Sequence, residues 1–572
     1  NENIFIRNLG EMLSVVFRIK QQCTIPPWLQ GTLVRNGPGL FSVGETSYNH
    51  WFDGMSLIHS FTFKDGEVFY RSKFLKSDTY KKNIAANRIV VTEFGTLAYP
   101  DPCKNIFSRA FTYLLNAIPN FTDNNLVNII RYGEDYYASS EINYINQINP
   151  SNLDTVGRVN LRNHIAVNLA TAHPHYDEEG NTYNMGTSVM GLTGPKYVIF
   201  KVPANATDSA GSKKPALNKL EQVCSIPMRS KLFPSYFHSF GMTENYIIFV
   251  EQAFKLDMIR LATAYYRGET WGKCLTYDKD DVTLFHLINR KTGKAVHTKF
   301  YGDAFVVFHH INAYEEDGHV VFDLITYEDS GLYDTFYMAN LNQDFEKDDN
   351  ISTPTPISQR FVIPVNADLK SAPKGTNLVK LEGTSATAVQ QKDGSLYLTP
   401  DKLFEGVELP GINYQYNTKK YRYFYGSKVE WTPKITKVTK VDILTRAYLE
   451  WTEEECYPSE PVFVASPGAV EEDDGVILSS VVSLNPKKSA FMLVLDAKTF
   501  KEIARASINA SVHLDLHGLF IHDHWSNYCS APLETPSLKT LRKLFQVTLP
   551  HEDTDIKIPR VFRSVPKDKC AT

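Results

Sequence analysis

Apolar side chains in this chain recur mostly with a period of two, or in short unbroken runs of strand length. YVIFKVPA (197–204), YIIFVEQAF (246–254), VVFDLITY (320–327), GVILSSVV (475–482) and FMLVLDAK (491–498) are rich in Val, Ile, Phe and Tyr. They are bounded by turn residues, which predicts β-strands. KDGEVFYR (64–71), EDGHVVF (316–322) and KDGSLYL (392–398) each place Asp-Gly just before such a run, the chemistry of a tight hairpin turn. A second signature is a strand ending in Asn or Asp, then x-x-Thr, then another apolar run. It reads INRKTGKAV (288–296), VDILTRAYL (441–449) and LDAKTFKEIA (495–504), with INPSNLDTVGRV (148–159) a longer relative. Hairpins recurring along a whole chain predict a radial repeat fold, and seven blades of about 80 residues would fill this one. Loops are predicted at 210–219, 343–358 and 371–377, where Pro, Ser, Lys, Asp and Gly concentrate. None has the length or low complexity of an interdomain linker. The pattern therefore predicts one propeller domain over 1–572, fading into a tail from roughly 525.

Composition narrows the function classes. Of 572 residues, 43% are hydrophobic and 22% charged, which excludes a wholly disordered chain. Sixty basic against 64 acidic residues give a net charge of −4, so no basic field exists and nucleic acid is not an expected partner. Aromatic residues reach 12%, enough to build a large β core, line an apolar tunnel, or both. The seven cysteines are odd in number, widely spaced and without a CxxC pair, so neither a disulfide framework nor a zinc ribbon is expected and a reducing compartment fits. The first twenty residues, NENIFIRNLGEMLSVVFRIK, lack the three-part form of a signal peptide. No run of about 18 apolar residues predicts a transmembrane helix. NIFSRAFTYLLNAIPNF (105–121) sets Ile106, Phe107, Phe111, Leu114, Leu115 and Ile118 at helical spacing, beside Lys104 and Arg109. It reads either as a helix packed on the core or as an apolar lip that touches membrane or admits an apolar ligand.

Several of the sixteen histidines sit in or beside apolar, strand-like runs: His173 and His175 (ATAHPHYD), His238 (PSYFHSFGM), His309 and His310 (VVFHHINAY) and His517 (LDLHGLF). Each taken singly has the ordinary look of a hydrogen-bonded core histidine, and no local spacing such as HExxH joins them. A metal site would have to gather residues as distant as His173 and His517, which a propeller can do because its inner strands converge on one axis. Imidazole suits Fe, Zn, Cu and Ni, so the ligand type does not select the metal. An all-histidine site is neutral, and carboxylates are then expected to accept the outer ring N–H of each ligand. Glu141 (SSEINYI), Glu408 (GVELPGINY) and Glu460 (YPSEPVFV) are candidates; the alternative is that they are exposed or salt-bridged.

Ten blocks, in order, resemble the carotenoid cleavage oxygenases over nearly the whole chain. They are RNGPG (35–39), HWFDG (50–54), RIVVTEFGT (88–96), PDPCKNIFS (100–108), AHPH (172–175), HSFGMTENY (238–246), FHHINAYEEDG (308–318), YPSEPVF (457–463), EEDDGVILS (471–479) and LHGLF (516–520). The resemblance implies an all-β, seven-bladed β-propeller with a loop and short-helix cap over the axial face that carries iron. It implies one ferrous ion, Fe(2+), per chain, with O2 as co-substrate. Block by block, the implied ligands are His173, His238, His309 and His517, and the implied outer carboxylates are Glu141, Glu408 and Glu460. Strand alternation sets His309 and His310 on opposite faces, so only one can ligate. His173 and His175 would share a face, and the choice of His173 rests on the resemblance. One departure is Ile142, where the family commonly has Thr; it removes a hydroxyl beside Glu141.

Within the family the likeness is greatest to members that cut carotenoids at the centre, in AVNLATAHPHYDEEGNTYNMGTS, KYVIFKVPA, FHHINAYEEDGHVVFDLITYED, ANLNQDF and HLDLHGLF. The implied reaction inserts O2 across the 15,15′ double bond of β-carotene or related apolar carotenoids, giving two retinal molecules from β-carotene. A rigid polyene needs a long apolar tunnel, and aromatic faces stabilise positive charge developing on it. Phe52, Tyr236 and Tyr327 are the expected catalytic aromatics, with core packing as the alternative. The 105–121 segment becomes a lip for transient contact with membrane or lipid droplets by a cytosolic protein, with no obligate protein partner. Cys103 is then an acylation candidate or a free thiol. Eccentric cleavage, retinoid isomerisation, non-catalytic carotenoid binding and a scaffold role are the competing readings.

Overall fold

In a computed structural model of the chain, the two turn signatures build the hairpins. The structure describes residues 17–18, 20–22, 24–98, 122–189, 194–205, 215–341, 354–365, 372–431 and 434–522. The segment 105–121, Cys103 and the stretch from about 525 lie outside the described residues. Between strands Met55–Lys64 and Glu67–Phe74, Asp65 and Gly66 have φ of 50° and 77°; between Val306–Glu316 and His319–Tyr327, Asp317 and Gly318 have 46° and 76°. Two left-handed residues make the turn whose twist matches the strands. The third Asp-Gly site differs. Strands Thr387–Gln390 and Leu396–Thr399 are joined by a longer loop in which Gly394 is left-handed and Asp393 instead caps the Ser395 N–H and hydroxyl.

The Asn/Asp-x-x-Thr signature closes other hairpins in one way. The carbonyls of Asn149, Asn289, Asp442 and Asp496 accept the N–H of Leu153, Gly293, Arg446 and Phe500 at 2.7–2.8 Å. Those four residues are left-handed, with φ between 59° and 67°. The Asn or Asp side chain caps the N–H groups inside each turn, which is why these residue types recur there.

The hairpins assemble into seven sheets of four to six strands, the blades of a seven-bladed β-propeller. Blade 1 combines Phe17–Arg18, Gly31–Leu40, Met55–Lys64 and Glu67–Phe74 with His517–His522 from the far end of the described chain. The remaining blades follow in chain order. The ring is joined twice: His517–His522 pairs with Gly31–Leu40 in blade 1, and Lys20–Gln22 pairs with Glu502–Ile508 in blade 7. Blade 4 gains the hairpin 387–399 through a parallel pairing of Phe300 and Tyr301 with Leu396 and Tyr397. Blades pack through apolar faces; Leu33 and Phe61 of blade 1 share one buried cluster with Val476 and Met492 of blade 7. Short helices, including Trp51–Asp53, Gly331–Thr335 and Met338–Leu341, fall between strands. None of the described helices is long and apolar enough to cross a membrane.

Candidate metal centre and its cavity

Each blade sends one of the seven implied metal-site residues to the axis. His517 opens the end strand of blade 1, and Glu141 lies in the connection between Asp135–Ser139 and Tyr144–Asn149 of blade 2. His173 sits in the gap between the short strands Leu169–Ala170 and His175–Tyr176 of blade 3. His238 precedes Gly241–Met242 of blade 4, and His309 lies in Val306–Glu316 of blade 5. Glu408 lies in Val407–Gly411 of blade 6, and Glu460 between Cys456–Pro458 and Val462–Ala465 of blade 7. Several of these positions interrupt regular pairing. The register shifts on both sides of His310, and next to Glu408, where Leu409 takes a φ of 53°. Bulges of this kind re-aim a side chain.

One ring nitrogen from each of His173, His238, His309 and His517 falls within 4.8 Å of the others. Nε2 of His238 lies 2.8 Å from that of His173 and 3.2 Å from that of His309. The outer nitrogens donate to the carboxylates: His517 Nδ1–H to Glu460 at 2.7 Å, His309 Nδ1–H to Glu408 at 2.6 Å, and His238 Nδ1–H to Glu141. That hydrogen-bond pattern leaves the inner Nε2 lone pairs facing each other. Lone pairs so close repel unless a cation sits among them, so the donor set fits a divalent metal that accepts imidazole. Burial, then the other three histidines, drives His173 well below its ordinary range. Burial lowers His517 against the pull of Glu460, whereas His309 is raised despite burial by Glu408. A proton on the inner nitrogen of His309 and a shared cation exclude one another.

The neighbouring histidines face elsewhere. His175 bonds the Phe240 carbonyl at 2.8 Å and Asn417 at 3.3 Å, and His310 Nδ1 bonds Ser239 Oγ at 2.9 Å. Ile142 is buried and lines the cavity, so the missing hydroxyl is replaced by apolar wall.

A cavity of about 390 Å³ opens beside His238, His309 and His517. Phe52, Tyr236 and Tyr327 all line it. Tyr236 donates to both oxygens of Glu141 at 2.9 Å, and Tyr327 to Glu408 at 2.7 Å. Burial, then the adjacent carboxylate, pushes both phenols well above their ordinary range, so they remain donors. Phe52 is placed by its flanking residues. His50 Nδ1 accepts the Phe52 N–H, while Asp53 accepts the Gly95 N–H and the Thr96 hydroxyl.

Two features were not singled out by sequence reasoning. Tyr333, on the short helix Gly331–Thr335, is the aromatic hub of the cavity. Its hydroxyl is 2.5 Å from that of Tyr236, and its ring packs against Phe52, Phe94 and Phe308 at 5.9, 5.1 and 5.1 Å. The signal was the helical spacing of Tyr333, Phe336 and Tyr337. Arg35, 1% exposed, bridges Glu460 at 2.5 Å and Asp515 at 2.6 and 2.8 Å. Asp515 also accepts from Ser480 and pairs with His59 at 2.8 Å. The signal was a cation within the strand Gly31–Leu40 and an anion just before His517–His522.

Fold and site together define a family. A profile described as retinal pigment epithelial membrane protein matches residues 9–522, and the chain belongs to that family of carotenoid oxygenases. It is 57% identical over 539 residues to the beta,beta-carotene 15,15′-dioxygenase of Mus musculus, covering 94% of this chain and 95% of that protein. It is 43% identical over 508 residues to the mitochondrial carotenoid-cleaving dioxygenase of Pongo abelii, covering 87% and 90%. A solved structure of a Synechocystis apocarotenoid oxygenase mutant aligns over 91% of this chain and 98% of its own, with a TM-score of 0.70 at 22% identity, a likeness of fold.

Proposed function

We propose that this protein is a single-domain, iron(II)-dependent dioxygenase. It cleaves the central 15,15′ double bond of β-carotene and related apolar carotenoids with O2, giving two retinal molecules from β-carotene. The observation that carries this reading is the convergence of four histidine nitrogens beside an apolar cavity. His173, His238, His309 and His517 hold the ion, and Glu141, Glu408 and Glu460 keep three of those rings in one tautomer and orientation. Ferrous iron, when bound there, supplies a site for O2 activation. The apolar wall excludes water and favours a hydrocarbon polyene. Phe52, Tyr236 and Tyr327 hold the polyene in one register and present ring faces to developing positive charge. Both oxygen atoms enter the two aldehydes, so no external reductant is needed.

The protein reads as cytosolic, with transient contact to a membrane or lipid droplet. Leu232, Phe233 and Ile259 are exposed, and their near neighbours Pro234, Leu256, Met258 and Leu261 line the cavity. An apolar surface continuous with the cavity suits a substrate that barely dissolves in water.

Anaerobic iron loading followed by O2 and β-carotene, with chromatographic identification of products, tests the reading. Retinal as sole product is expected, and His173→Ala should lose both iron and turnover. One long and one short aldehyde would instead mean eccentric cleavage. Wild-type protein that binds carotenoid but neither retains iron nor turns over would be a binder.

A further inference from the structure

Four acids line the cavity, and three are occupied: Glu141 by His238, Glu408 by His309, and Asp515 by Arg35. The fourth, Glu93, is different. It is 3% exposed. Its Oε1 accepts a hydrogen bond from Thr122 Oγ1 at 2.6 Å, and Thr122 is itself fixed by Thr79 Oγ1 and the Asn124 N–H, both at 3.0 Å. The Glu93 N–H donates to Thr96 O at 2.9 Å, so the main chain is fixed too. Oε2 has no hydrogen-bond partner among the described residues, and Glu93 lines the cavity. No cation among the described residues pairs with the carboxyl. Burial, then Asp53 and Asp123, pushes it well above the ordinary carboxyl range. That favours the neutral acid, the form that has an O–H to donate, in a wall that also holds Trp51, Phe52 and Phe94.

Its place in the cavity is also informative. The ring of the adjacent Phe94 packs on Tyr333 at 5.1 Å, and Tyr333 reaches Tyr236, which bonds Glu141 beside His238. None of the four clustered histidines bonds Glu93 among the described residues; its neighbour Phe94 reaches the Glu141 carboxylate only through Tyr333 and Tyr236. On the carotenoid reading, this is a place for an arm of the polyene and not for its reacting bond. An unsubstituted hydrocarbon ring gives a buried acid nothing to bond.

We propose that Glu93, supported by Thr122, forms a polar subsite that receives one neutral oxygen function on one arm of an otherwise apolar polyene. That oxygen is a ring hydroxyl or a chain-end carbonyl. The proposal rests on the carotenoid reading above. A polyene oxygenated at one end gains a partner here.

Binding to the iron-loaded full chain without O2, followed by quenching of tryptophan fluorescence, tests the subsite. The probes are β-carotene, its monohydroxylated ring analogue, and an apocarotenal with an unsubstituted ring. Glu93→Leu should weaken the oxygenated probe about tenfold relative to β-carotene, the size of one buried hydrogen bond. Glu93→Gln, which keeps a donor and an acceptor, should stay within about threefold of wild type. Loss for the hydroxylated probe assigns the subsite to a ring hydroxyl; loss for the apocarotenal assigns it to a carbonyl. An unchanged ratio for both overturns the proposal. Thermal unfolding verifies the variants, and Thr122→Val reads the same ratio should Glu93→Leu fail to fold. Wild-type turnover of β-carotene is scored separately: binding without cleavage would sink the dioxygenase reading and leave the subsite standing.

Discussion

Asp515 and Glu93 border the same cavity, both almost without exposure, and burial by itself would push each toward the neutral acid. Their surroundings send them in opposite directions. Asp515 has the Arg35 guanidinium, His59 and Ser480, which hold it well below the usual carboxylate range against burial. Glu93 has Thr122 and two like-charged neighbours, and it rises. Where a buried carboxyl must stay charged to orient a partner, the fold supplies a guanidinium. Where no cation faces the buried carboxyl among the described residues, its neutral form is favoured. One cavity thus has a charged, fixed corner near His517 and, near Phe94, a corner whose carboxyls are pushed toward the neutral form.

Removing Arg35 should erase the charged corner. Arg35→Met leaves Glu460 and Asp515 buried without their cation, and a loss of about 3–5 kcal/mol in stability is expected from denaturant unfolding. A loss below about 1 kcal/mol would mean that the two acids neutralise as Glu93 does. Next in size, Glu460→Gln should weaken metal retention about 10–100-fold, read by elemental analysis after dialysis, because His517 Nδ1–H exchanges a carboxylate acceptor for a neutral amide. Unchanged metal content would separate His517 from the carboxylate relay.

The corner near Phe94 titrates with the opposite sign. Burial pushes Asp53 up to about 7 despite its bonds to Thr96 and Gly95. Its contribution to stability is complete below the ordinary carboxyl range near pH 4 and disappears as pH rises through about 7. Wild-type stability should therefore carry a falling component across that window, of up to about 1.4 kcal/mol per pH unit, which Asp53→Asn lacks. Asp515, held low, contributes fully above its ordinary range and is lost only at pH well below 4, so it does not enter the window. Parallel pH curves for wild type and Asp53→Asn would remove the contrast. The smallest effect belongs to Tyr327→Phe, which deletes the bond to Glu408 but keeps the ring. A cost of about 0.5–1.5 kcal/mol is expected in stability. Tyr327→Leu, lacking the ring face, should lower kcat further and broaden the cleavage position; equal kinetics for the two would take charge stabilisation away from Tyr327.

What could be read in the sequence was local chemistry. Asp65-Gly66 and Asp317-Gly318 carry their own turn geometry, and Asn289, Asp442 and Asp496 cap their own turns, so the hairpins were legible. The hairpin at 387–399 gave no hint that it would add to blade 4 by a parallel edge. His173, His238, His309, His517 and Glu460 stood out in family blocks, and Glu141 and Glu408 as acids in apolar or turn contexts, none of them by a spacing, because the axis that gathers them is tertiary. Arg35 and Asp515 are 480 positions apart, and Glu93 reads as an ordinary loop acid. Burial without a cation leaves no local mark on a sequence.

His517 belongs to the strand that fastens the far end of the described chain to Gly31–Leu40. During synthesis the ribosome delivers His173, His238 and His309 long before it delivers that strand. Three donors can wait, but the fourth arrives only when the circle is joined. On the proposed ligand set, metal capture thereby becomes a checkpoint on completed manufacture: a chain interrupted upstream of His517 loses the blade 1 closure and the fourth donor in a single stroke, even where Lys20–Gln22 still finds Glu502–Ile508.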